Sequence, residues 1–207
     1  MTGHIAALYR HPVKGFTPER LGHAQLTADG PFPCDRMYAV ENGPSGFDPA
    51  APGFIPKQKF AVLAAIAEVA KARTAYDEAS ATLTATAPGQ PDFSGVLSQD
   101  EGRAAFAGWL TALLGEEATG PLQVVSAEGH RFMDHPLGHV SIINLASVRD
   151  LEAKIGRPVD PLRFRGNVLV EGWPAWVENE WAGRELMVGF ARAKVYKPIV
   201  RCAATHV

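Results

Sequence analysis

The sequence predicts a mainly β fold with a few helices, of the α+β class. Its apolar runs are short and are separated by turns rich in glycine and proline, which is typical of strands. Helical periodicity is clear in only a few places. The strand spacing in the second half favours a small barrel or a curled sheet over alternating βαβ units.

The first half contains several predicted strands and one hairpin. IAALYRHP begins as a strand that stops at Pro12, and a second short strand is predicted from Arg36 to Val40. The segment ENGPSGFDPAAPGFIP is too interrupted by glycine and proline for a regular element and is predicted to be a surface loop. VAKARTAYDEASATLTAT alternates polar and apolar residues and predicts a β-hairpin around Asp77 and Glu78.

The clearest helix is predicted to begin at Ser98, where SQDE forms a capping box. Gly115 suits its C-terminal cap. The residues predicted for its buried face are Phe106, Trp109, Leu110, Leu113 and Leu114. A second helix is predicted over VRDLEAKI, capped by Ser147 and ended by Gly156.

The second half opens with the predicted strands LQVVSA and HVSIINLAS, which precede the second helix. NVLVEG, ELMVGF and AKVYKP then form three further short strands, separated by turns that contain glycine, proline and tryptophan. These five segments are the basis for predicting a small barrel or a curled sheet.

Composition excludes several classes of function. The net charge of −2 and the absence of a basic stripe argue against a nucleic-acid partner. No apolar run approaches the roughly 20 residues that span a bilayer, and the first residues do not resemble a secretory signal. Cys34 and Cys202 are the only cysteines. They could pair, but two free thiols in a cytoplasmic protein are expected.

Cys202, in the run KPIVRC, is the residue for which we most expect chemical activity. A thiolate is a nucleophile and a soft metal ligand, and neighbouring cations such as Arg201 and Lys197 favour it over the thiol. The alternative is a buried cysteine that behaves as a small hydrophobic residue.

Two basic segments are candidate anion sites. In RFRGN, Arg165 and Asn167 flank a glycine before an apolar strand, and arginine suits phosphate geometry. In HPVKG, Lys14 and Gly15 follow a strand end, and Arg36 precedes another strand. Each cation could instead simply face water, and Asp35 with Arg36 could be a local ion pair.

Polar residues near the second helix also permit two interpretations. Ser147 lies at the start of this helix, whose backbone amides could bind an anionic group, and Asn144 lies at the end of the preceding strand. Alternatively, Ser147 and Asn144 could both have structural roles only. HRFMDHPLGH contains His130, Asp134, His135 and His139, but proline and glycine interrupt the spacing that a zinc site would need. A loop is therefore expected there. The motifs of Walker loops, dinucleotide-binding loops, hydrolase elbows and zincins are absent.

Taken in order, SIINLASVRDLEAKIG, RFRGNVLVEG and KPIVRCAATHV resemble the MOSC family, named for the C-terminal domain of molybdenum cofactor sulfurases. HPVKG and DRMYAV resemble the β-rich domain that precedes MOSC in many members, including the amidoxime-reducing component and its bacterial relatives. The resemblance implies a MOSC-type β-barrel over residues 119–207, preceded by an N-terminal β-rich domain over 1–118.

The resemblance also implies a bound molybdenum cofactor, Mo-molybdopterin, while pyridoxal phosphate is not expected. Cys202 matches the cysteine that ligates molybdenum and would be the catalytic residue. The residues that match cofactor contacts are Lys14, Gly15, Arg36, Asn144, Ser147, Arg165, Asn167 and Arg201. A phosphate and an electron-rich dithiolene would be balanced by these cations and by a helix N-terminus.

The implied activity is that of a molybdenum-dependent oxidoreductase that reduces small N-hydroxylated substrates. Its electrons would come from a separate donor protein, because the sequence has no cysteine-rich iron–sulfur segment. One alternative is a carrier of sulfur or of the cofactor that uses a Cys202 persulfide. Another is a non-catalytic binding module.

The sequence departs from the family pattern in two places. Gly15 stands where many relatives have serine, so one hydroxyl contact is expected to be missing. The sequence ends at Val207, where relatives usually continue with Asp-Pro and further strands. Either the barrel is C-terminally truncated, in which case an exposed edge is expected, or it closes differently.

Overall fold

A computed structural model describes residues 2–135, 138, 140–200 and 205. The strands are β1 (His4–Arg10), β2 (Glu19–Leu21), β3 (Ala39–Asn42), β4 (Arg73–Asp77), β5 (Thr82–Thr86), β6 (Phe93–Val96), β7 (Leu122–Val125), β8 (Ile142–Asn144), β9 (Val168–Glu171), β10 (Glu185–Val188) and β11 (Ala191–Lys194). The α-helices are α1 (Asp100–Leu114) and α2 (Leu145–Ile155). The predicted α+β class is confirmed.

The described residues fall into two compact units that are interleaved along the chain. The first unit takes its residues from Met1–Tyr9, Arg20–Phe32 and Val140–His206. The second takes its residues from Arg10–Glu19 and Pro33–His139. The domain boundary expected between residues 118 and 119 stays a prediction.

The first unit is built on a four-stranded sheet in the order β2-β1-β9-β8. β1 runs antiparallel to β9, whereas β8 runs parallel to β9. A parallel neighbour needs a long crossover, and α2 lies in the connection between β8 and β9. The segment is therefore a βαβ unit. Its three elements were predicted as HVSIINLAS, VRDLEAKI and NVLVEG, but a barrel or curled sheet was favoured over βαβ units, so the parallel pairing of β8 with β9 was not predicted.

Alternate residues of β9 form the centre of this unit's core. Val168 and Val170 are 2% and 5% exposed and cluster with Phe32 and Trp173. Side chains from β1, from the segment after β2 and from the turns before β10 cover them. β10 and β11 form a separate antiparallel hairpin.

The second unit contains the three-stranded sheet β4-β5-β6 and the pair β3-β7. β4 and β5 are the predicted hairpin, and their alternating burial places Tyr76 and Leu83 in the core. Phe106 and Leu110 of α1 are fully buried in the same core, together with Phe16. The buried face predicted for α1 is confirmed at four of its five positions, and Leu113 is only partly buried.

Helix ends agree with the sequence on the C-terminal side and differ on the N-terminal side. Gly115 and Gly156 are the C-caps, both with positive φ. The predicted capping box at Ser98 is wrong, because α1 begins after Gln99 and has no side-chain cap. The predicted cap at Ser147 is also wrong: Asn144 is the N-cap, and its side chain accepts a hydrogen bond from the amide of Ala146.

The predicted loop is confirmed, since no strand or helix lies between Asn42 and Lys57, a range in which every residue is described. None of the sheets in the described part of the chain closes into a barrel. No helix among the described residues combines the length and the apolar character needed to cross a bilayer.

Candidate functional site

In the second unit, Lys14 is a buried cation with a defined direction. Its residue is 3% exposed, and its backbone amide donates to the carbonyl of Tyr38 at 2.8 Å. Its ammonium donates to the carbonyl of Phe132 at 2.9 Å and to the carboxylate of Asp134 at 2.5 Å. The ammonium is thus held against the segment around residues 132–134.

Gly15, the next residue, occupies a position that suits only glycine. Its φ is +87°, and a Cβ at this position would lie 2.7 Å from the Cα and the Cγ1 of Val62. Gly15 therefore differs from a serine by more than a missing hydroxyl, because its position does not accommodate a Cβ. This backbone has no room for any side chain unless Val62 moves.

Arg36 is oriented by a buried carboxylate. Asp35 is 1% exposed and accepts hydrogen bonds from the guanidinium of Arg36 and, at 2.6 Å, from the backbone amide of His11. Burial raises the pKa of Asp35, but the Arg36 guanidinium and His11 outweigh it and lower that pKa to about 2. The two residues do form the local ion pair given as one interpretation, and the carboxylate of this pair is buried.

Lys14 contacts a second carboxylate, that of Asp134, on which Arg36 also acts electrostatically. Partial burial raises the pKa of Asp134, whereas Lys14, Arg36 and Lys57 lower it, and the net shift is downward. The sequence analysis missed Lys57 as a third cation of this group. Nothing in its local sequence marks it, because it follows the Gly- and Pro-rich loop directly.

In the first unit, the RFRGN segment connects a short 3-10 turn to β9. Arg165 has a φ of +52°, and a Cβ on Gly166 would collide with the side chain of Ile143. Asn167 is fully buried. Its side-chain oxygen Oδ1 accepts hydrogen bonds from the backbone amide and the hydroxyl of Ser141 at 3.1 and 3.0 Å. Its amide donates to the carbonyl of Tyr9 at 3.2 Å. Asn167 therefore joins β1, β8 and β9 at one end of the sheet.

Asn144 and Ser147 form a separate network with Glu178, which the sequence analysis did not identify. The Asn144 amide donates to the carboxylate of Glu178 and to the carbonyl of Pro174, both at 2.8 Å. The Ser147 hydroxyl donates to Glu178 at 2.6 Å and accepts from the amide of Trp176 at 2.8 Å. All donor hydrogens of these two side chains are used, and the carboxylate of Glu178 lies at the N-terminal end of α2.

The predicted site residues of the first unit lie at opposite ends of the β8–β9 pair, with Asn167 at one end and Asn144 at the other. Ile142 is opposite Val168, and Asn144 is opposite Val170. Asn167 precedes this register and Asn144 ends it, so the two are separated by three strand positions, or roughly 10 Å. A cofactor contact by Asn144 or Ser147 stays a prediction.

Cys202 and Arg201 lie outside the described residues. Across the ranges that the structure does describe, no group of three His, Cys, Asp or Glu side chains is placed to hold a metal ion. The second cysteine, Cys34, is free and half-buried. Burial and the adjacent Glu78 carboxylate raise the pKa of its thiol to about 11. At neutral pH Cys34 is therefore a thiol and a poor metal ligand.

Two observations on the described residues suit an anionic group. Lys14 and Arg36 provide cations whose directions are fixed by buried neighbours. Gly15 and Gly166 lie where any Cβ would collide with a neighbouring residue, so each segment keeps a fixed, closely packed backbone beside its polar residues. The chemistry of this donor set suits a phosphate group.

Two protein-family models match the chain. The model described as the MOSC N-terminal beta barrel domain matches residues 2–119. The model described as the MOSC domain matches residues 129–207. No curated protein matches the chain in a sequence search.

Proposed function

The chain belongs to the MOSC-domain family, and we propose that it is a molybdenum cofactor-binding oxidoreductase that reduces small N-hydroxylated compounds. MOSC domains are associated with proteins that bind the molybdenum cofactor. The observation that carries the proposal is the pair of oriented cations, Lys14 and Arg36, within a chain whose two family matches cover both predicted groups of cofactor residues.

Lys14 and Arg36 would bind the anionic phosphate end of the cofactor. Arg36 is already oriented by Asp35, so binding costs little additional side-chain entropy. Charge-assisted hydrogen bonds to phosphate are short and strong, and an arginine can make two of them in parallel. These two residues therefore contribute affinity and orientation, not redox chemistry.

Arg165 and Cys202 are the other residues that we propose as cofactor contacts. Arg165 follows the Pro161–Phe164 turn, and its backbone is left-handed with a φ of +52°. Cys202 would ligate molybdenum through its thiolate, a soft ligand that suits this metal. When bound, the cofactor supplies the two-electron redox chemistry, and the protein supplies binding and orientation.

The proposed net reaction takes two electrons and two protons, breaks the N–O bond of the substrate and releases water together with the reduced nitrogen compound. We propose that a separate electron-donor protein supplies both electrons.

The first test compares the two cysteines as metal ligands. The chain is expressed in cells that make the cofactor, purified under native conditions and analysed for molybdenum per protein chain. We expect Cys202→Ser to lose most of its molybdenum. Cys34→Ser is the matched control and should keep it, because the Cys34 thiol has a raised pKa. Unchanged molybdenum in Cys202→Ser would rule out the ligand assignment.

The second test measures activity with a chemical electron donor and an N-hydroxylated amidine as substrate. Wild-type protein that contains molybdenum should release the amidine, and Cys202→Ser should not. A persulfide trapped on Cys202 in a metal-free preparation would instead indicate a sulfur carrier. A folded chain that binds neither molybdenum nor pterin would indicate a non-catalytic module.

A further inference from the structure

Phe132 forms backbone hydrogen bonds with both residues that are predicted to bind phosphate. Its amide donates to the backbone carbonyl of Arg36 at 2.8 Å, and its carbonyl accepts from the ammonium of Lys14 at 2.9 Å. Hydrogen bonds hold donor and acceptor within a narrow range of distance and angle. The placement of the Phe132 backbone therefore affects Lys14 and Arg36 together.

The backbones of these two cationic residues are already fixed by their neighbours. The amide of Arg36 donates to the carbonyl of His11 at 2.6 Å, and the amide of Lys14 donates to the carbonyl of Tyr38 at 2.8 Å. These bonds do not fix the end of the Lys14 side chain, because the stem of a lysine is flexible. The carbonyl of Phe132 is one of the groups that hold the ammonium in place.

The side chain of Phe132 in turn fixes its own backbone. The residue is 3% exposed, and its ring packs against three others. The ring centroids of Phe47, Phe60 and His130 lie 4.9, 5.6 and 4.7 Å away, in tilted or edge-on arrangements. These are the arrangements that aromatic pairs prefer. A ring packed in this way keeps the adjoining peptide groups in one position.

The same apolar cluster also supports the residue that follows Lys14. Phe132 shares its cluster with Phe60 and Val62. Val62 is the residue that a Cβ on Gly15 would approach to 2.7 Å. One small core therefore contacts the backbone after Lys14 and also carries the carbonyl that binds its ammonium.

We propose that Phe132 is a positioning residue of the phosphate site. Its buried ring holds the peptide groups that set the Lys14 ammonium relative to the backbone of Arg36. The inference rests on the proposed function, since it concerns the phosphate end of the same site. Phe132 acts on a bound phosphate only through the two cations, and Phe47 acts only through Phe132.

The test measures the affinity of the full chain without cofactor for inorganic phosphate at low ionic strength, where screening is weak. We expect Phe132→Leu to bind phosphate about three- to tenfold more weakly than wild type, the effect of losing roughly one hydrogen bond. Phe47→Leu removes one ring that packs on Phe132 and should weaken binding by about two- to threefold. Circular dichroism at the titration temperature shows that each affinity refers to folded protein. If Phe132→Leu does not fold, Phe47→Leu decides the test.

Phe93→Leu is the matched control, because Phe93 is a buried aromatic residue of the same unit that packs on Phe106 and Trp109 instead. It should lose stability to urea much as Phe132→Leu does, yet keep its phosphate affinity within about twofold of wild type. Equal weakening of phosphate binding in the variants of Phe93 and Phe132 would overturn the proposal, because the effect would then follow from general destabilisation. Wild-type affinity in Phe132→Leu and Phe47→Leu would overturn it too, as would the absence of phosphate binding by the wild type.

The outcome is independent of the molybdenum test of Cys202. A selective loss of phosphate affinity in Phe132→Leu would stand even if the chain held no molybdenum. Conversely, molybdenum bound through Cys202 would stand even if the substitutions of Phe132 and Phe47 left phosphate binding unchanged.

Discussion

The carboxylate of Asp35 binds the guanidinium of its sequence neighbour Arg36 while itself being 1% exposed. The backbone at Arg36 is left-handed, with a φ of +52°. Its backbone amide also donates to the carbonyl of His11 at 2.6 Å. The pair therefore fixes a turn of the backbone and also the direction of the Arg36 side chain, which is predicted to bind phosphate.

Replacing Asp35 with asparagine should destabilise the fold by about 2 kcal/mol at pH 7. The folded-state pKa of Asp35, about 2, lies below its ordinary value of 3.8. The ionised carboxylate therefore stabilises the protein above the ordinary value, and this stabilisation is lost as the pH falls towards 2. Urea denaturation of wild type and variant at pH 7, 4 and 3 should show a difference that shrinks with decreasing pH.

The exposed carboxylate of Asp92 serves as the control for this experiment. Asp92→Asn should change the free energy of unfolding by less than about 0.5 kcal/mol at each pH. If the difference between wild type and Asp35→Asn were independent of pH, the ionised state of Asp35 would not be the source of the stabilisation.

Replacing Gly15 with alanine should destabilise the protein by about 2–4 kcal/mol. The positive φ costs about 1 kcal/mol for alanine, and the new Cβ would meet the backbone and side chain of Val62. Gly89→Ala is the matched control, because Gly89 has a φ of +75° but no atom within 4 Å of the Cβ position. It should lose only about 1 kcal/mol. Equal losses in the two variants would show that Val62 has no part in the effect.

Replacing Glu178 with glutamine should destabilise the protein by about 1–3 kcal/mol. Asn144 and Ser147 donate to different oxygens of the carboxylate, and in glutamine one of these oxygens becomes an NH2 group that cannot accept. Denaturation followed by tryptophan fluorescence measures this, since Trp176 donates its amide to Ser147. Glu180→Gln, two residues away and exposed, is the control and should behave as wild type.

The same network gives an expectation for the cofactor. Ser147→Ala should lose stability, yet the folded protein should keep its molybdenum, because the Ser147 hydroxyl already donates its hydrogen to Glu178. Molybdenum per folded chain is the measurement. A loss of molybdenum from a folded Ser147→Ala protein would place Ser147 among the cofactor contacts after all.

Replacing Asn167 with alanine should destabilise the cofactor-free protein by about 2–4 kcal/mol. The substitution removes the acceptor of two hydrogen bonds from Ser141 and the donor to Tyr9, all at a fully buried position. Thermal or urea unfolding measures the loss. Asn179→Ala, at an exposed position, should stay within about 0.5 kcal/mol of wild type.

Local patterns predicted much of the secondary structure. Alternating residues gave the β4–β5 hairpin, and the glycines at 115 and 156 marked both helix C-termini, because these features depend on neighbours within a few residues. The N-termini were predicted less well. Asn144 caps α2 in place of Ser147, and Ser147 instead bonds Glu178, 31 residues away in the sequence.

The family, the α+β class and the candidate residues Lys14, Arg36, Arg165 and Asn167 were determined by the sequence alone, since they depend on residue types in a fixed order. Tertiary structure decided where these residues lie and what they contact. It placed Asn144 and Asn167 at opposite ends of one strand pair and set Val62 against Gly15. It also gave Lys14 an exposed counter-ion in Asp134, 120 residues away. Such relationships arise from contacts between distant segments, whose spacing no local pattern encodes.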